Sequence, residues 1–192
     1  MKIKRHARKQ QRKRKQIINW VLWGGLIVVV LGVVGYAVIA RKQPPAGEAV
    51  QVMPDSSHVP EGTDPGPYNT DPPSSGRHYA NEMNAGFFDE GSQEPPYPAG
   101  YLVHNLEHGY VIFWYNCSSL AGQACSDLKS SIKSVMDQLD NFKVIAYPWP
   151  SIDLPVVLTS WGRVQRFSSF DPKQAQAFVL SNRNQAPEPN AP

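Results

Sequence analysis

No acidic residue occurs in the first 42 positions of this 192-residue chain, no histidine follows position 108, and only two cysteines are present. Each lack excludes something. Of the 19 Lys and Arg, nine fall within residues 1–16 (from Lys2 to Lys15) and two at Arg41 and Lys42, whereas all 16 acids come later. From Gln43 onward eight cations face sixteen acids, so the formal charge of +3 averages +11 over residues 1–42 with −8 over the rest. A globular nucleic-acid-binding domain needs positive charge on its folded face, so none is expected here. The cysteines are not spaced Cys-x-x-Cys, which leaves thiol redox catalysis without support.

What is present first is a run of 24 uncharged residues, Ile17–Ala40, interrupted only by Asn19 as a strongly polar residue. As a helix it would rise about 36 Å at ~1.5 Å per residue, enough to cross a hydrocarbon core of ~30 Å. Trp20, Trp23 and Tyr36 suit its two interfaces, and the excess of cations before it puts the N-terminus in the cytoplasm. A cleaved signal peptide has a shorter apolar core of ~7–15 residues, so an uncleaved single-pass anchor in the cell membrane is expected. Residues 1–16 then form a cytoplasmic basic tail, a topology signal that meets anionic lipid headgroups. Residues 41–56 read as a stalk, 57–183 as an extracytoplasmic domain and 184–192 as a frayed, disordered tail.

Within the domain a Pro-rich arm comes first. Tyr110–Tyr115 is then a continuous apolar run of the kind buried on both faces of a sheet. Leu128, Ile132, Val135 and Leu139 lie at helical spacing in Asp127–Leu139. Lys143–Tyr147 and Val156–Trp161 are strand candidates, and Asp171-Pro172 opens a helix to about Asn182. The expected fold class is α+β, with a short mixed sheet, two helices and the Pro-rich arm. Outside the cytoplasm an isolated cysteine pair defaults to a disulfide, here Cys117–Cys125.

Four histidines, His58, His78, His104 and His108, fall within 51 residues of this domain. The last two sit in His104-Asn105-Leu106-Glu107-His108-Gly109, which matches the His-x-x-Glu-His pattern of inverted zinc peptidases. On a helix the two rings share a face; in a continuous strand they stand about 13 Å apart. Across a tight hairpin they would approach to about 5 Å. Gly109 ends helices and Tyr110 begins the expected strand, which favours a hairpin or a single helical turn and leaves no room for a long catalytic helix.

Three stretches together carry a family resemblance: Pro72-Pro73-Ser74-Ser75-Gly76-Arg77-His78-Tyr79, then Val103-His104-Asn105-Leu106-Glu107-His108-Gly109-Tyr110-Val111, and Thr159-Ser160-Trp161-Gly162-Arg163. Over roughly residues 50–180 the chain resembles the bacterial domain of unknown function 3105. The family's first signature, Pro-Pro-Thr-Ser-Gly-Pro-His, differs at Ser74 and Arg77 and keeps His78. An upstream histidine is also similar, here His58 with Gly62 and a displaced Tyr68. The resemblance implies an N-terminal anchor and an extracytoplasmic domain, and supplies no reaction.

The residues themselves point to convergence of His58, His78, His104 and His108 on one metal, with Glu107 as ligand or partner. Imidazoles suit zinc or copper, and Met53 and Met83, near His58 and His78 in sequence, would favour copper(I). Against this, each histidine can serve singly as a hydrogen-bonding residue holding Pro-rich loops. A zinc hydrolase would use His104, His108 and His78 as ligands and Glu107 as base. The resemblance to inverted zinc peptidases implies instead an acidic third ligand from a downstream helix; the one Glu after Glu107 is Glu188 in the expected tail, and Asp127, Asp137 and Asp140 could substitute only if the first helix faces the site. Catalysis is therefore the less favoured reading. Ser74-Ser75-Gly76 is turn chemistry, not a nucleophile elbow. Tyr101 and Trp161 remain as pocket or surface residues, through which a metal-free module would bind an envelope protein partner.

Overall fold

The computed structural model describes residues 19–36, 45–91 and 95–191. The chain divides into two units, residues 1–44 and 45–192. In the first, α1 (Asn19–Tyr36) has 18 residues and a mean hydropathy of 1.8. At ~1.5 Å per residue it spans about 27 Å, so it is long and apolar enough for a membrane anchor or a signal sequence. The basic tail and the ends of the expected 17–40 span lie outside the described residues.

The second unit is α+β. Its strands are β1 (Glu48–Ala49), β2 (Gly86–Phe87), β3 (Val111–Tyr115), β4 (Val144–Pro148), β5 (Val156–Ser160) and β6 (Arg163–Phe167). Its helices are α2 (Pro98–Glu107), α3 (Ala124–Gln138) and α4 (Pro172–Asn182). One mixed sheet runs in the order β1-β6-β5-β3-β4-β2. β3 pairs in parallel with β4, which is possible because α3 carries the chain between them, and antiparallel with β5.

Side chains alternate across these central strands, and each face has its own core. Val111, Phe113, Tyr115, Val144, Ala146, Val156 and Leu158 meet Leu128, Ile132, Val135 and Met136 of α3 and Ala175, Phe178 and Val179 of α4. Ile112, Trp114, Ile145, Tyr147 and Val157 meet Leu102 and Leu106 of α2. The apolar run of β3 thus carries buried residues on both faces, as its composition requires. Helix α4 begins as expected: Asp171 Oδ1 accepts from Lys173 and Gln174 N at 2.9 and 3.2 Å, with Pro172 in the first turn.

Four departures from the sequence reading have physical causes. Among the described residues the domain has three helices where two were expected: α2 is ten residues long, where a hairpin or a single turn was favoured. Strand β6 was not foreseen, because Arg163-Val164-Gln165-Arg166-Phe167 is an edge-like, mostly polar alternation. The segment read as a stalk contributes β1, paired antiparallel with β6 and tied by Arg163 Nη1 to the carbonyls of Pro45 and Gly47. The C-terminal segment, read as frayed, is held through residue 191. Asn184 N donates to Gly109 O, and Lys143 Nζ donates to Pro189 O and Ala191 O at 3.0 and 2.8 Å.

Candidate metal centre

Backbone pairing on the α2 side of the sheet brings distant histidines together. His58 and His78 form an isolated parallel bridge, in which Val59 N donates to His78 O at 2.8 Å and His78 N to Ser57 O at 3.3 Å. The next residue, Tyr79, ties this bridge to α2 by donating N–H to Gly100 O at 3.0 Å. Gly100 has to be small: a Cβ there would sit 2.4 Å from Tyr79 Cε2. Helix α2 then ends in a Schellman turn, with Gly109 N donating to Leu106 O and Tyr110 N to Asn105 O, both at 3.0 Å. Gly109 takes φ +84°, which leaves His104, Glu107 and His108 on the last helical turn.

The rings of His58, His78 and His104 form a triangle with centroids 4.8, 5.3 and 5.3 Å apart. His78 is fully buried, His104 is 6% exposed, and His58 is exposed to solvent. His78 Nδ1 donates to Gly76 O at 2.8 Å, which leaves Nε2 facing Glu107 Oε2 at 2.9 Å. A carbonyl oxygen only accepts, so one ring proton is committed to Gly76. The remaining contact joins an imidazole lone pair to a carboxylate, and a cation between them, proton or metal, makes it attractive. A backbone carbonyl fixing one nitrogen of a ring so that the other can coordinate is the usual outer support of a metal-binding histidine.

His104 is held neutral. Burial, followed by the neighbouring His108, His78 and His58, lowers its pKa to about 4, with the Tyr79 backbone acting in the opposite direction. Its Nδ1 is buried and has no hydrogen-bond partner among the described residues. One ligand atom from each of His58, His78, His104 and Glu107 falls within 4.8 Å of the others. In tetrahedral zinc, with bonds of 2.0–2.1 Å, ligand atoms stand about 3.3 Å apart. Closure therefore needs a contraction, which the exposed His58 is best placed to make.

His108 turns to a second set. Its Nδ1 lies 2.9 Å from Glu82 Oε2 and its Nε2 3.6 Å from Glu188 Oε2. Its ring stands 4.3 Å from that of His104, and Glu82, His104 and His108 also offer ligand atoms within 4.8 Å of one another. Lys143 closes this end: its buried Nζ donates to His108 O at 2.9 Å as well as to the C-terminal carbonyls.

The profile of the family described as "Protein of unknown function (DUF3105)" matches residues 58–192, more than two thirds of the chain and all of the histidines and carboxylates just described. The chain belongs to the DUF3105 family. No curated protein and no solved structure matches it. The DUF3105 domain thus brings its histidines together on one side of the sheet, in two groups that meet at His104, where the sequence reading had all four on a single ion.

Other expected residues lie elsewhere in the domain. Cys117 and Cys125 form a disulfide with Cα atoms 5.4 Å apart, against the α3 face of the sheet. Trp161 occupies the β5–β6 turn and packs on the α2-side cluster, as does Met83, whose backbone is clamped by the Asn105 amide at 3.0 and 2.9 Å. Tyr101 packs edge-on against Tyr79 at 4.7 Å, one turn before His104. Sequence reasoning missed Glu82 altogether, and set Glu188 aside with the tail. Glu82 is four residues after His78, and no short-range spacing signals its approach to His108.

Proposed function

We propose that the DUF3105 domain binds a transition metal, zinc before copper, through His58, His78, His104 and Glu107. The observation that carries this reading is the buried His78–Glu107 contact, two groups that attract only with a cation between them, beside a neutral His104 with one nitrogen unpartnered among the described residues. Three imidazoles and a carboxylate are a donor set suited to zinc, whereas copper(I) prefers thioethers and thiolates. Glu107 is engaged with His78, not free beside the pair as a general base, so binding is favoured over hydrolysis. We further propose that α1 anchors the chain in the bilayer, with the basic tail against anionic headgroups and the domain outside the cytoplasm. A disulfide accords with that compartment.

The test is elemental analysis of the full-length chain purified in detergent and loaded with zinc. At least one equivalent is expected, with one fewer in His58→Ala, a substitution at an exposed position. Substoichiometric zinc, copper and nickel after loading would overturn the reading. For topology, a reporter fused after Asn182 is expected to be active only outside the cytoplasm; activity inside would overturn the orientation.

A further inference from the structure

On the α3 side of the sheet, opposite the histidines, the disulfide occupies a place in the fold that its sequence spacing did not announce. Cys117 follows β3, the strand paired in parallel with β4, and Cys125 lies in the first turn of α3, the helix that joins the two. The pair thus sits outside the carboxyl ends of parallel strands and at a helix N-terminus. Such sheets hold their ligands there, and a helix start lowers the pKa of a thiol. Both cysteines are partly exposed, and exposed disulfides are the labile ones.

Charge is arranged around the sulfurs. One carboxylate oxygen of Glu90 lies within 4.8 Å of both Sγ atoms, although a disulfide has no proton to offer it. Glu90 accepts from Lys129 Nζ at 2.6 Å, and Lys129 is four residues after Cys125, on the same face of α3. A cation and a helix N-terminus beside Cys125 make it the better leaving group of the two. Next to the pair an open groove of about 280 Å³ runs between Leu120, Ala124, Leu128, Pro155, Ser169 and Phe170. Leu120 belongs to the loop that the disulfide closes and Ala124 precedes Cys125. Pro155 O accepts from the N–H of Asn116, the residue before Cys117, at 3.0 Å. An extended polypeptide with apolar side chains fits such a groove.

We propose that Cys117–Cys125 is a redox-active disulfide that oxidises cysteine pairs in extended polypeptides, an activity independent of the metal centre. A substrate thiol gives its proton to Glu90 or to solvent, and the thiolate attacks Cys117 Sγ. The Sγ–Sγ bond breaks and its electron pair leaves on Cys125 Sγ, near the charge of Lys129. The second substrate thiolate then attacks the substrate sulfur of the mixed disulfide and releases Cys117. Two electrons and two protons have passed from the substrate, now a disulfide, to the Cys117 and Cys125 thiols. Glutathione disulfide returns the pair to its oxidised form by the same exchange in reverse. The cysteines stay adjacent when reduced because both are fixed from outside the bridge. Asn116 Nδ2 donates to Ile152 O at 2.6 Å and its Oδ1 accepts from Ser118 N at 2.8 Å, while Cys125 is part of α3.

The test uses the full-length chain in detergent with chelator, a synthetic peptide whose two cysteines flank apolar residues, and glutathione disulfide as oxidant. Peptide oxidation is expected to run about tenfold faster or more with catalytic amounts of wild-type protein, and at the uncatalysed rate with Cys117→Ser. Cys125→Ser should trap the peptide as a mixed disulfide on Cys117. Lys129→Met should raise the pKa of the reduced Cys125 thiol, read by mass spectrometry from the pH dependence of its alkylation, and slow turnover by about threefold or more. Far-UV circular dichroism should be unchanged on reduction. No acceleration over Cys117→Ser, or loss of the fold when the bridge is reduced, would overturn the proposal and leave the disulfide a structural staple. An unchanged alkylation profile in Lys129→Met would overturn the assignment of Cys125 as the leaving group.

Discussion

Gly100→Ala is the substitution in which local and tertiary preference are most directly opposed. In an exposed helix the change is stabilising by up to about 1 kcal/mol, because glycine has the greater backbone freedom to lose. Here the new Cβ would lie 2.4, 2.6 and 2.8 Å from Cε2, Cδ2 and Cζ of Tyr79. That ring has nowhere to go: it is fully buried, its hydroxyl donates to Thr63 O at 2.7 Å, and its backbone N–H is bonded to Gly100 itself. Overpacking of this kind costs about 1–3 kcal/mol. The net expectation is a loss of about 1–2 kcal/mol, or a melting temperature lower by about 2–8 °C for a domain of this size. Because Tyr79 follows His78, zinc should also bind at least several-fold more weakly. Thermal unfolding by tryptophan fluorescence in the presence of chelator, followed by zinc titration, measures both. A Gly100→Ala protein as stable as wild type or more so, with unchanged zinc affinity, would refute the coupling of Tyr79 to the site.

Two further predictions follow from buried groups. His104 has its pKa lowered from 6.5 to about 4 in the folded state; as pH falls from about 6.5 to about 4 the unfolded chain takes up a proton that the native one refuses. In metal-free protein, stability should therefore rise with pH across that window, by at most about 3 kcal/mol, and His104 should contribute no slope above it. Urea unfolding at several pH values checks this, and an equal slope in His104→Gln would contradict it. Lys143→Met removes the donor shared by His108, Pro189 and Ala191, and hydrogen bonds to charged groups are worth about 1.5–3 kcal/mol each. The C-terminal segment should become sensitive to carboxypeptidase, with a loss of about 2 kcal/mol or more. Unchanged resistance would mean that the lysine does not hold the tail.

Legibility in the sequence tracked the regularity of the surroundings. β3, β4, β5, α3 and α4 were readable because each presents a continuous apolar run, a helical stripe or a capped start, and the cysteine pair followed from the expected compartment. Helix α2 was hidden for a physical reason: eight of its ten residues are buried, so no polar face marks a period. Its start gives no help either, since Tyr97 is in the left-handed region, no side chain among the described residues caps the helix, and Ala99-Gly100 follows Pro98. The histidine cluster was visible as a group, but its division was not. That division depends on the His58–His78 bridge, on Glu82 reaching His108, and on a tail whose fixing by Lys143 leaves no local pattern. The stalk reading failed similarly, because a two-residue edge strand such as β1 is defined by its partner β6.

The most direct test of the histidine–carboxylate centre is X-ray absorption at the zinc K-edge on the loaded full-length chain. The expected spectrum has a nitrogen and oxygen shell at about 2.0–2.1 Å, with the outer scattering of two or more imidazoles per zinc and no sulfur at about 2.3 Å. A shell without imidazole scattering, as from hydrated or carboxylate-bound zinc, would contradict the assignment of His58, His78 and His104 as ligands.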